Sequence, residues 1–187
     1  MNEITLKKII KHFNKICKHK FYVLQYCIKL KIPIRGITHD LSKFSLTEFW
    51  ENVRYYQEDH SPIVECKKEK GYSRAWLHHK GRNTHHYEYY LDYGFPHIMP
   101  FKDSIEMLCD YIGAAKAYMG NNFSYQKEWE WFQNKYKNKD FLLMHKVNLD
   151  FISLCLYHMK QTNKFISYDF AKSYYNMAFE SYKKKGE

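Results

Sequence analysis

The stretch ITLKKIIKHFNKICKHKFYVLQYCIKL, Ile4 to Leu30, sets the fold class. Ile9, Phe13, Ile16, Val23 and Tyr26 recur at intervals of three, four and seven residues. Each interval returns a side chain to nearly the same side of a helix. His12 and His19 lie on the same stretch, seven residues and two turns apart. Pro33 and Gly36 are expected to break this helix.

The same periodicity continues outward, and no strand-like alternation persists. A short helical piece is expected from Thr38 to Phe44, and Ser45-Leu-Thr-Glu48 reads as a capping box opening a helix toward Gln57. Residues 58–72 are charged and hold Pro62 and Gly71, so a loop is expected there. A helix near Arg74–Lys80 leads to a turn at Gly81-Arg82-Asn83, and Thr84 is placed to cap a helix toward Asp92. A loop from Gly94 to Pro100 precedes a helix from Asp103 to Met119, in which Gly113, Ala114, Ala115 and Ala117 permit a close neighbour. Three more helices are expected over 124–137, 140–160 and 167–184. The expectation is an all-α, single-domain bundle over 1–187, with a core in about 1–120 and helices of 121–187 packed on it.

Composition narrows the function classes. The 187 residues suffice to bury a core, to which 18 Tyr and 13 Phe contribute. The five cysteines are scattered, odd in number and without a Cys-x-x-Cys pair, so neither a disulfide framework nor a thiolate zinc site is indicated. A reducing, cytoplasmic setting fits this usage. No leader-like segment and no run long enough for a membrane span is seen. The formal charge is +10, with eight Lys, Arg35 and a single acid in residues 1–35, and Lys183, Lys184 and Lys185 near the end. That balance favours an anionic partner, either a small phosphate-bearing substrate or nucleic acid, against the bland alternative of a solvated lysine face.

Seven of the eleven histidines fall between residues 39 and 97. The set His19, His39-Asp40, His78-His79, His85-His86 and Asp110 combines imidazole with carboxylate. That mixture suits one or two borderline divalent ions: Mn, Fe, Co, Ni or Zn. Adjacent residues on a helix point about 100° apart, so His39 and Asp40 reach one ion together only near a helix end or at a seam between helices. His12, by contrast, reads as a surface or supporting residue. His60 and His97 fall in expected loops, and His145 and His158 read as capping or core residues.

"THDLSKF", Thr38 to Phe44, resembles the His-Asp-x-[Gly/Ser]-Lys signature of the HD superfamily of metal-dependent phosphohydrolases, which are all-helical. Taken in order, the resemblance implies metal ligation by His19, His39, Asp40, one member of each histidine pair, and Asp110 in "IEMLCDYIGAA". His79 with His86 is the pair taken, although His78 with His85 has the same seven-residue spacing. The resemblance further implies catalysis by Asp40, a phosphate contact for Lys43, and a proton-shuttling or histidine-supporting role for Glu106 or Glu88. Arg82 and Asn83, between the pairs, are candidates for phosphate contact. The pattern A-W-x-x-H-x-x-x-N-x-H-H also resembles a bacterial and phage family of unknown function.

The implied activity is hydrolysis of a nucleotide or other small phosphate ester. Two alternatives share the same residues: an HD-like di-iron oxygenase, and a non-enzymatic basic module that binds nucleic acid around a structural ion. The aromatic stretch EWEWFQNKYKNKDF, Glu128 to Phe141, could stack bases. Its spacing is better explained by an amphipathic helix that buries Trp129, Phe132 and Tyr136.

Overall fold

A computed structural model of the chain describes residues 3–184 and Gly186. Lys185 of the basic tail lies outside the described residues. The architecture is all-α apart from one two-residue hairpin. The first helix, α1 (Leu6–Lys29), is capped by Thr5, whose Oγ1 accepts from the Lys8 amide at 3.3 Å. It buries His12, Ile16, His19, Val23, Tyr26 and Cys27. The buried stripe therefore runs through two histidines. Phe13, expected inside, lies one residue off this stripe and is exposed, its ring meeting Phe44 at 5.9 Å.

The first helix ends at Lys29, just ahead of the break expected at Pro33 and Gly36, and Pro33 itself starts a new helix. It occupies the first turn of α2 (Pro33–Thr38), where its missing N–H is no loss. The expected piece over 38–44 is instead a 3₁₀ turn, Leu41–Phe44, entered through Asp40. Then come α3 (Leu46–Arg54), α4 (Pro62–Lys70) and α5 (Arg74–Lys80). The 58–72 segment is thus largely helical. Pro62 is at the start of α4 and Gly71, with φ of 79°, closes it. Both residues were read as breakers but act as start and stop signals. No helix runs from Thr84 to Asp92. A 3₁₀ turn, Tyr87–Tyr90, is followed by the hairpin β1 (Leu91–Asp92) and β2 (Phe95–Pro96), closed by Gly94 at φ of 83°.

The long α6 (Phe101–Met119) crosses α1 closely. A Cβ on Gly113 would sit 2.5 Å from Val23 Cγ2, so the absence of a side chain sets the approach. The chain ends with α7 (Tyr125–Lys137), α8 (Lys146–Thr162) and α9 (Tyr168–Lys184). His145 caps α8, accepting from the Val147 amide at 3.2 Å. One buried cluster joins Val23 and Leu30 of α1 and Ile105, Leu108 and Ile112 of α6 to Phe132, Phe151, Ile152, Leu156 and Met159. In α7, Phe132 and part of Trp129 are covered, but Tyr136 is 55% exposed. Phe141 folds back to stack on Phe132 at 5.3 Å and fills the place expected for Tyr136. Among the described residues, no helix is long and apolar enough to cross a membrane.

Candidate metal centre

The His39-Asp40 doublet solves the problem of aiming two neighbours at one point. It stands where α2 ends, with His39 extended and Asp40 left-handed at φ 55°, ψ 26°. Aspartate is among the few residues that tolerate that backbone. The turn points both side chains inward, and Asp40 is fully buried.

Two groups of donor atoms meet at Asp40. Its Oδ2 lies 3.1 Å from His19 Nε2 and 3.2 Å from His39 Nε2. Asp110 Oδ1 completes that group, 3.2 Å from His19 Nε2 and 3.5 Å from His39 Nε2. The other oxygen, Oδ1, lies 3.2 Å from His79 Nε2 and 3.3 Å from His85 Nε2, and His86 closes this second group. Within each group the four donor atoms lie within 4.8 Å of one another.

Buried lone pairs in such numbers normally find hydrogen-bond partners. Here Asp40 Oδ1, His85 Nε2 and His86 Nε2 have none. A cation would satisfy them together, and the nitrogen-and-oxygen donor set fits a borderline divalent ion. The residues present therefore fit one or two ions.

Four ring Nδ1 atoms are held by carboxylates. His39 Nδ1 donates to Glu106 Oε1 at 2.9 Å, and His85 Nδ1 lies 3.2 Å from the same oxygen. His79 Nδ1 donates to Glu48 Oε2 at 2.8 Å, and His78 Nδ1 donates to Oε1 at 2.6 Å. Such contacts fix the tautomer and leave each Nε2 lone pair free for an ion. Burial opposes charge on Glu106, but its bonds to His39 and His85 outweigh that and hold its carboxyl well below the usual range. Arg35 reinforces this, with Nε 2.5 Å from Glu106 Oε2 and the guanidinium also paired to Asp103. An ionised Glu106, clamped by Arg35, is placed to orient both histidines.

The candidates therefore separate. His19, His39, Asp40, His79, His86 and Asp110 are brought together. His85 joins them, so both members of the second pair face inward where one was expected. In the first pair, His79 faces the site and His78 braces Glu48. Lys43 Nζ sits 2.5 Å from Asp40 Oδ2 and lines a cavity beside His19 and Asp110. Asn83 is occupied elsewhere, donating to Ser42 Oγ at 2.9 Å and to the His79 carbonyl at 2.7 Å. Arg82 is exposed and does not line that cavity. Glu88 bonds none of the clustered histidines.

Glu48 was read as the closing residue of a capping box. Ser45 Oγ does accept from the Glu48 amide at 3.3 Å, but the Glu48 side chain turns to the histidines instead. Its signal was its place one turn after the capping serine, on the face opposite α5. His12 is 5% exposed rather than superficial, its ring 5.4 Å from Phe49.

The fold and this cluster define a class: a helical protein with a buried histidine–carboxylate cluster that could hold a metal ion. By sequence, the chain belongs to a family of unknown function, DUF5662, whose model matches residues 8–158. That span takes in every residue of the centre. No curated protein and no solved structure matches the chain significantly.

Proposed function

We propose that the protein is a two-metal phosphohydrolase acting on a small phosphate ester. One observation carries this reading: the two oxygens of Asp40 face two separate donor groups, His19, His39 and Asp110 on one side and His79, His85 and His86 on the other. His19, His39, Asp40 and Asp110 would hold one ion, and Asp40 with His79, His85 and His86 the second. Such ions, when bound, polarise a phosphoryl oxygen and lower the pKa of water into the neutral range.

The chain's own residues contribute orientation and charge. Glu48 and Glu106 keep the imidazoles turned with Nε2 inward. Lys43, at the junction of the centre and the adjoining cavity, attracts the phosphate and holds an oxygen of it as a point charge. Lys15, on the cavity's rim, extends the positive field outward and favours entry of an anion. The resemblance of THDLSKF to the HD signature supports the same reaction class.

The test is elemental analysis of untagged protein purified without chelator, beside Asp40→Ala, followed by phosphate release from a panel of esters. One to two equivalents of metal, lost in the variant together with phosphate release, is the expected result. Metal binding without release from any ester would overturn the reading. Two equivalents of iron with dioxygen consumption would replace it with the oxygenase, whose donor set is the same. Salt-dependent nucleic-acid binding without turnover would replace it with the binding module.

A further inference from the structure

The cavity beside the first donor group has a volume of about 190 Å³ and opens onto His19, Lys43 and Asp110. Its walls carry polar groups that the protein leaves unused. His12 and Asn52 are each 5% exposed. His12 Nε2 has no hydrogen-bond partner, and the Asn52 side chain makes no hydrogen bond among the described residues. Ser61 does not cap its helix. The hydroxyls of Tyr56 and Tyr118 also bond nothing among the described residues.

A buried, unpartnered polar atom such as His12 Nε2 costs about 1–3 kcal/mol, and the unbonded Asn52 amide on the same cavity offers a ligand further partners. Burial, then Lys43, holds the His12 imidazole down to about 4, so at neutral pH it is an uncharged ring with one donor and one acceptor. Hydroxyl groups, which both donate and accept, match such a wall. Size agrees, since a cavity of roughly 150 Å³ encloses a single benzene ring. A base with its ribose exceeds that; a sugar does not.

From these features we infer that the cavity binds the alcohol part of a sugar-sized, hydroxyl-rich phosphomonoester and discriminates against nucleotides, with His12 and Asn52 as specificity-determining residues. The assignment rests on the phosphohydrolase reading for the phosphate end, where Lys43 and the metal centre lie. His12 and Asn52 would contact the hydroxyls.

The test uses metal-loaded protein and non-hydrolysable phosphonates, so binding is read without turnover. Titration calorimetry compares the phosphonate analogue of ribose 5-phosphate with that of AMP and with inorganic phosphate. The expected result is at least tenfold tighter binding of the pentose analogue than of either other ligand. His12→Phe, which keeps the ring packing on Phe49, and Asn52→Leu should each erase that margin. Equal or tighter binding of the AMP analogue, no binding of the pentose analogue, or a margin that survives both variants would overturn the inference. Phosphate release is measured separately. Pentose-analogue binding with no release from any ester would sink the hydrolase reading but leave the pocket assignment standing. Release that prefers nucleotides would do the reverse.

Discussion

The two ends of the chain differ in what they bury beside their apolar side chains. Nearly every buried polar residue, from His12 through Glu106, comes before Met107. Beyond it, the described buried polar residues are Glu128 and Asn148, while Phe132, Phe151, Ile152, Leu156 and Met159 fill the space. Asn148 is fully engaged, bonding Met99 and Ser104. Desolvated charge is costly unless paired, whereas apolar burial stabilises without a partner. The carboxyl-terminal helices thus supply stability to a shared core whose other end holds the histidine–carboxylate cluster.

That contrast can be broken by experiment. The largest effect is expected on the apolar side. Phe151→Ala should cost about 3–5 kcal/mol in denaturant unfolding, as large aromatic truncations do. Its metal content per folded chain should stay unchanged; proportional loss of metal would mean the two interiors are not separable. On the polar side, chelation should lower the melting temperature of the wild type. An ion at a thousandfold its Kd contributes about 4 kcal/mol. Asp40→Ala should show no such response, and a chelator shift that persists in it would place the stabilising ion elsewhere.

Glu128 sharpens the comparison because it is a carboxyl on the apolar side. It is 3% exposed, and burial, then Asp110, pushes it up to about 8. Its folded-state value exceeds its unfolded one. Stability is therefore whole below about 4.5 and is lost as pH rises toward 8, where the unfolded chain ionises and the folded one resists. Glu128→Gln should match the wild type near pH 4 and gain on the order of 4 kcal/mol at pH 8. Equal pH profiles in denaturant unfolding would refute the buried neutral acid. Glu48→Gln should have the smallest effect, weakening metal binding about ten- to hundredfold by loosening His79 while leaving the fold intact. Unchanged affinity in a competitive chelator titration would remove Glu48 from the centre.

The helices with an apolar stripe, among them α1 and α6 to α9, were legible because periodicity reports burial directly. Helix α4 was not, since its face is weakly apolar and its Pro62 and Gly71 are ambiguous between breaking a helix and bounding one. In the centre, His39, Asp40 and Asp110 could be matched to an ordered motif. Of the two roles expected for His12, surface or supporting, burial removes the first; a hydrophobic-stripe reading discounts histidine, though the interval from His12 to Ile16 to His19 to Val23 is the helix's own. The membership of both His85 and His86 depends on an extended backbone just before the 3₁₀ turn. An expected helix over 84–92 would have sent them in different directions.

Gly113 gives the crossing of α1 and α6 a consequence for the spacing of the centre's donors. His19 stands one turn before Val23 on α1, and Asp110 stands one turn before Gly113 on α6. The contact between Val23 and the bare Cα therefore works as a calliper, fixing the aperture between two donors from different helices. A single methyl at position 113 would meet Val23 Cγ2 and force the two helices, and with them His19 and Asp110, to shift.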